Sequence, residues 1–262
     1  MIKTQDSIYT HTEDVHHLDS SPSELVPILI EIINPKSVID IGCGIGNFIA
    51  EFKKHGINDV LGVDGIWADM DAISTNIGIK DFVSHDLTTT FKANRKYDLV
   101  ISLEVAEHIG IDYSDKFLDS LTNSGDEIVF SAALPNQGGQ NHINEQWTDF
   151  WVDKFLERGY FKKDIIKPLI WNNNNIFWWY RQNIMLFTKN PNKYNKYLDL
   201  NISDLIHKEN YLIKINEIYY LKQIIANKQL IVDDYYKMLR GEFSIVFYLK
   251  KVLKSIKNTF NG

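Results

Sequence analysis

The chain is short of the residues on which covalent and membrane-embedded architectures depend. Its 262 residues include one cysteine, Cys43, so no disulfide can close within the chain. A protein without that framework is held by its core, and a reducing compartment suits it. No apolar run approaches the roughly 20 residues of a bilayer-spanning helix. The N-terminal stretch is polar and acidic where a secretory signal would carry its apolar segment. These absences lead us to expect a cytoplasmic protein. Positive charge is also scarce, with 28 Lys/Arg against 34 Asp/Glu, which argues against a general nucleic-acid binder. The deficit is uneven, because residues 190–262 hold 12 basic and 7 acidic residues, leaving the first 189 at net −11. What remains is a chain with 44% hydrophobic and 13% aromatic residues, enough for a substantial core. Its length suits one large α/β domain, alone or with an appendage.

Residues 1–20 are polar, carry Tyr9, His11, His16 and His17, and read as an irregular arm. Ser21-Pro22-Ser23-Glu24 has the form of a capping box, and Leu25, Leu29, Ile32 and Ile33 recur at helical spacing until Pro35 stops the helix. Val38–Ile41 reads as a buried strand, and Asn47–His55 as a helix closed by Gly56. Strands follow over Asp59–Asp64, Asp81–Ser84, Tyr97–Leu103 and Glu127–Ala132, with helices over Ala68–Thr75, Asp115–Leu121 and Trp147–Arg158. Lys163–Ile170 and Gln182–Thr188 are the candidate last strands. Strands alternating with helices at this spacing predict a doubly wound, Rossmann-like, mostly parallel sheet of seven strands. Residues 1–190 are expected to form that domain. Residues 191–262 are expected to form a helical extension, since 200–240 lack glycine and are rich in Lys, Asn, Ile and Tyr.

In such sheets ligands bind beyond the carboxyl ends of the strands. The clusters with chemical potential here all follow strand one, two, three, four or five. Asp40-Ile41-Gly42-Cys43-Gly44-Ile45-Gly46 places glycines where a turn must tighten and a ligand must approach backbone. The helix after it aims free N–H groups at that turn. Asp64 ends strand two, 18 residues beyond Gly46, where it could accept both hydroxyls of a ribose. Asp86 follows strand three and could meet an adenine amino group. The ordered set resembles class I S-adenosylmethionine-dependent methyltransferases, through Asp40–Gly46, Gly62-Val63-Asp64-Gly65 and His85-Asp86-Leu87. That resemblance implies a cofactor site of Asp40, Gly42, Cys43, Gly44, Gly46, Asp64, Gly65, Asp86, Leu87 and Leu103. The electrostatics agree, because Asp40 would repel a dinucleotide pyrophosphate but suits a cationic sulfonium.

Glu104-Val105-Ala106-Glu107-His108 follows strand four. If it opens a helix, Glu104, Glu107 and His108 share one face, and the two carboxylates raise each other's pKa unless a cation sits between them. An oxygen-rich set with imidazole suits Mg²⁺ or Mn²⁺. His142, in the polar loop after strand five, could complete that metal site or act as general base on a substrate hydroxyl. The expected catalytic residues are His142, Glu107 and Glu145, and the expected metal ligands are Glu104, Glu107, His108 and His142. The Glu-x-x-Glu-His pattern resembles that of ubiquinone-pathway O-methyltransferases. With the later histidine it resembles 3′-terminal RNA 2′-O-methyltransferases, whose matching positions hold a divalent ion.

Gly138-Gly139 with His142–Trp147, Trp171-Asn172-Asn173 and Trp178–Asn183 resemble a methyltransferase subgroup associated with surface-polysaccharide clusters. Clustered aromatics and amides also suit a sugar, whose apolar face stacks while its hydroxyls find amides. Alternatively, Phe177, Trp178 and Trp179 are core at a sheet edge. Phe243–Asn261 carries four lysines and no acid, a basic amphipathic stretch suited to an anionic membrane surface or to packing on a partner helix. The expected activity is O-methylation of a sugar or related small-molecule precursor of a surface glycan, in the cytoplasm, with peripheral attachment at the inner membrane face left open. The competing expectations are an RNA 3′-terminal 2′-O-methyltransferase and a non-catalytic cofactor-binding scaffold.

Overall fold

The computed structural model describes residues 20–200 and 204–242, together with 246, 247, 249, 250 and 253. The N-terminal histidine arm and most of the basic tail therefore lie outside the described residues. The chain forms two compact units, Met1–Asn210 and Tyr211–Gly262.

In the first unit seven strands make one sheet: β1 Ser37–Ile41, β2 Asp59–Asp64, β3 Phe82–Ser84, β4 Leu99–Leu103, β5 Glu127–Ser131, β6 Phe161–Lys163 and β7 Met185–Thr188. Their order is β3-β2-β1-β4-β5-β7-β6, parallel except where β7 runs against β5 and β6. Strands β1, β4 and β5 are buried along their whole length, as their mostly apolar sequences suit in a sheet covered on both faces. Alternate residues feed two cores. Val38, Leu99, Ile101 and Val129 face one side with helices α1 (Ser21–Ile33) and α2 (Asn47–Lys54). Ile39, Ile41, Val100 and Phe130 face the other, with α4 (Ser114–Ser124) and α5 (Thr148–Glu157). Helix α3, Met70–Asn76, is capped by Asp69, which accepts the N–H groups of Asp71 and Ala72. The order reverses between β1 and β4, so the crevice of this sheet opens over the ends of those two strands.

Four expectations need correction. The N-terminal helix begins as expected, but Ser21 does not cap it; its buried hydroxyl accepts the N–H of Phe177. Lys163–Ile170 is not a strand: pairing with β7 stops at Lys163, and Lys167–Ile170 is a helical turn, α6, led by Pro168. Gln182 and Asn183 belong to helix α7, Trp178–Asn183, and not to the strand that follows. Finally, no α-helix starts at Glu104. The N–H of Glu104 bonds the carbonyl and the hydroxyl of Ser131, prolonging the β4–β5 pairing by one residue. Glu104 then turns through a left-handed conformation, φ 55°, and only a 3₁₀ turn, Ala106–His108, follows.

Candidate active site

The glycine turn after β1 is dictated by its surroundings. Gly42 has φ 89°, and a Cβ there would lie 2.4 Å from Cγ2 of Val105, so the turn is pressed against the segment that follows β4. Gly46 has φ 85° and faces Ile77 across a gap too small for a methyl group. Asp64 bridges the two strand ends, with Oδ2 accepting the N–H of Gly44 at 2.7 Å and Oδ1 accepting that of Gly65 at 2.6 Å. Expected as a ribose acceptor, this carboxylate is thus first a strut between the turns, with lone pairs remaining on each oxygen. Burial raises its pKa despite those two bonds. Asp40, 4% exposed, has its pKa raised well above the carboxylate range, chiefly by burial and secondly by the charge of Asp64. Two acids around one tight turn make a pocket hostile to phosphate and receptive to positive charge.

The third acid lies differently. Asp86 is exposed, and its Oδ1 accepts the N–H and the hydroxyl of Thr88, bonds that lower its pKa. The N–H of His85 bonds the carbonyl of Asp64, which keeps this loop beside the first two turns. Leu87 is buried with Ile39, Ile41 and Val63, while Leu103 and Cys43 are buried on the opposite side of the sheet. Sequence reasoning misses Ile66, which is 89% exposed just beyond Asp64 and Gly65. An apolar side chain bare at this strand end can offer a face to a flat ring, and the only signal for it in the sequence is its place after the acid.

After β4, Asn183 donates to both carboxylate oxygens of Glu104 at 3.1 Å, and Gln137 donates to Oε2 at 3.2 Å. Gln137, Gln182 and Asn183 are each buried and bond one another, so Glu104 sits on a pillar of amides. Sequence alone does not distinguish such amides from surface ones. Burial raises the pKa of Glu104, and the amide bonds oppose that rise. Glu107 is fully buried, and neither carboxylate oxygen has a hydrogen-bond partner among the described residues. Its pKa is raised well above normal, first by burial and then by the charge of Glu104.

The loop after β5 is pinned onto this pair. The N–H groups of Ile143 and Asn144 bond the carbonyl of Glu107, and the buried Asn144 amide donates to Ile109 and Ser114. His142 is thereby brought against His108, ring centroids 4.9 Å apart. Nδ1 of His142 pairs with Oε1 of Glu145 at 2.9 Å, and Nδ1 of His108 meets the carbonyl of Asn141 at 3.3 Å. Both partners are acceptors, so each Nδ1 carries a proton and each Nε2 is the ring nitrogen to which a further proton or a metal ion would bind. Gly139 lies directly under His142: a Cβ there would be 2.2 Å from Nε2.

One donor atom each from Glu107, His108 and His142 lies within 4.8 Å of the others, the spacing of a metal-ligand set. Glu104, expected as a fourth ligand, is instead held by the amides. A buried carboxylate without a partner and two imidazoles with fixed tautomers fit a small divalent cation.

The aromatic segment adjoins both halves. Tyr180 packs edge-on against Phe48 of α2, and α7 ends in the Asn183 that holds Glu104. Phe177 stacks on Trp179 at 4.3 Å, and Phe177, Trp178 and Trp179 are half-buried, neither wholly core nor free surface.

Comparison with known proteins identifies the family and the fold. A family profile described as "Methyltransferase domain" matches residues 15–163. The sugar N-methyltransferase KedS8 from Streptoalloteichus shares the fold at TM-score 0.53 and 11% identity, over 72% of this chain and 98% of its own. The S-adenosylmethionine-bound amino pentose methyltransferase CalS10 from Micromonospora echinaspora does so at TM-score 0.51 and 10% identity, over 71% and 99%. A putative O-methyltransferase from Nostoc punctiforme aligns at TM-score 0.50 and 14% identity, over 66% of this chain and 56% of that one. No curated protein matches the chain at a significant level.

Proposed function

As the chain belongs to the methyltransferase-domain family, we propose that it uses S-adenosylmethionine to methylate a hydroxyl of a sugar or related precursor of a surface glycan. The observation that carries this reading is the His142–Glu145 pair, set beside buried Glu107 at the same strand ends as the glycine turn. A hydroxyl, unlike an amine, needs a base as its oxygen attacks. His142, with its Nδ1–H held by Glu145, would accept that proton on Nε2. In the same displacement the oxygen–methyl bond forms and the sulfur–methyl bond breaks, leaving a neutral thioether.

Asp40, the Gly42–Gly46 turn, Asp64, Gly65 and Leu103 would hold the cofactor, with Asp86, Leu87 and Ile66 around its ring. The acidic turn favours the sulfonium before transfer and loses that attraction after it, which assists release of the product. Glu107, His108 and His142 would hold Mg²⁺ or Mn²⁺. Such an ion, when bound, supplies a lowered pKa and a fixed position for the acceptor hydroxyl. Where His142 and Glu107 are so engaged, Glu104 remains the proton acceptor within the pocket. Phe177, Trp178 and Trp179 offer the stacking faces a pyranose seeks, with Asn172–Asn175 as nearby amides. The sugar acceptors of the two similar folds favour this class. Work on glycan precursors would place the enzyme near the inner membrane face, and no described helix is long and apolar enough to cross a membrane.

The test is an acceptor screen with methyl-labelled cofactor against nucleotide-linked sugars and glycan intermediates. It is run with a chelator and with added Mg²⁺ or Mn²⁺. Alkali-stable ether methylation of a sugar supports the reading. Transfer confined to amines, or to RNA 3′ ends with steep salt dependence, overturns it. Full activity after exhaustive chelation removes the metal while leaving the His142–Glu145 base in place.

A further inference from the structure

The residues of the site above all belong to the first compact unit. The described part of the second is dominated by helix α8, Lys208–Leu239, 32 residues and about 48 Å long at 1.5 Å per residue. Beyond Asn210 no residue of that helix is buried, although many are large and apolar. They occupy several faces, but one row among them is unbroken. Tyr211, Ile218, Ile225, Val232 and Leu239 recur every seven residues, and each is between 43% and 65% exposed.

A period of seven distinguishes what covers such a row. A helix lying on a flat surface, whether a sheet or a membrane, repeats its apolar face every 3.6 residues, and a strict heptad drifts off that face by about 20° per repeat. A heptad row remains in contact only when two helices wind around each other. We propose that this row is the a seam of a left-handed coiled coil between copies of this chain.

The other positions agree. Leu221 and Tyr235 fall at d beside the row, and β-branched Ile218, Ile225 and Val232 at a favour two strands. Glu217 at g and Lys222 at e bring opposite charges together across a parallel seam, so the helix is complementary to itself. Lys214 and Lys228 occupy the remaining d positions. Their stems lie along the seam with the ammonium groups in water, a device that fixes register at some cost in stability. At roughly 100 Å² each, the apolar a and d side chains of two copies withdraw on the order of 1,400 Å² from water, within the range of stable interfaces.

The experiment is light scattering on the full chain after size-exclusion chromatography. We expect about twice the 30.5 kDa of one chain. Ile225→Lys combined with Val232→Lys should return the mass of one chain. Leu230→Lys, at a position 63% exposed but off the seam, should leave the assembly intact. Thermal melting monitored at the domain's tryptophans should be the same in all three proteins, which separates loss of assembly from loss of fold. A larger closed assembly that the seam variant dissolves and Leu230→Lys spares also supports the proposal. A wild-type mass of one chain at high concentration overturns it. So does equal disruption by Leu230→Lys, or sedimentation with anionic phospholipid vesicles that seam and off-seam variants abolish alike.

Discussion

Nδ1 of His142 lies 2.9 Å from Oε1 of Glu145, while the same carboxylate accepts the N–H groups of Gly138 at 2.8 Å and Asn136 at 2.6 Å. One side chain therefore orients the imidazole and ties down the loop that carries it. A neutral amide at 145 keeps one acceptor but cannot hold the imidazolium that forms as the acceptor proton is taken.

Glu145→Gln should accordingly lower kcat by about 10²-fold, and His142→Ala by about 10²–10⁴-fold, the usual range for a lost general base. Cofactor affinity, read by calorimetry, should stay within about a factor of two in both, because neither side chain belongs to the glycine turn. A large loss of cofactor affinity with kcat preserved would assign the pair a purely structural role.

The amide pillar is expected to matter for stability before chemistry. Asn183→Leu removes two hydrogen bonds from the Glu104 carboxylate and leaves it Gln137 as its only amide donor. The cost should be about 1–3 kcal/mol, a fall in Tm of several degrees for a domain of this size. Asn183→Leu combined with Glu104→Leu should recover much of that loss while remaining inactive, since a pair of apolar residues leaves no charge without a partner.

The parts legible in sequence are those governed by local rules. Apolar runs ending in acids, Asp40, Asp64 and Asp86, mark strand ends, and the strands and glycine turn lie where that pattern puts them. The parts missed depend on partners distant in the chain. Pairing of Glu104 with Ser131 replaces the expected helix by a left-handed residue and a 3₁₀ turn. Gln137, Gln182 and Asn183 look like solvated amides until the fold buries them together, the first two 45 residues apart. Glu145 is expected at the site from sequence, but its second task, holding the loop through Asn136 and Gly138, is visible only in three dimensions.

Two left-handed glycines, Gly42 in the turn and Gly56 after α2, allow backbone conformation and steric fit to be separated. Gly56 has φ 84° with nothing within 4 Å of where a Cβ would stand, so Gly56→Ala should cost only the left-handed conformation, about 1–2 kcal/mol. Gly42→Ala has a similar φ and also drives its methyl into Val105. It should cost clearly more by chemical denaturation and abolish cofactor binding. Adding Val105→Ala should return stability to the level of Gly56→Ala. Failure of the double variant to recover would mean that the turn, and not its fit against Val105, sets the cost.

Asp40 supplies the test of charge in the cofactor turn. Its pKa is raised by burial and by Asp64, so the folded state holds this proton more tightly than the unfolded chain does. Stability should therefore fall as pH rises from about 4, the unfolded value, through the raised folded value, and then level off. Asp40→Asn, of the same shape and without the charge, should lack this decline, so the Tm of the variant should pull ahead of wild type over that pH window. A sulfonium next to the ionised carboxylate reverses the balance. Above the folded pKa, S-adenosylmethionine should bind wild type about tenfold more tightly than the variant, equivalent to roughly 1.4 kcal/mol. S-adenosylhomocysteine, which lacks the positive charge at sulfur, should bind the two nearly alike. Equal preference for wild type with both ligands would show that Asp40 acts by shape or hydrogen bonding, and that the acidity of the turn is not what selects the cofactor.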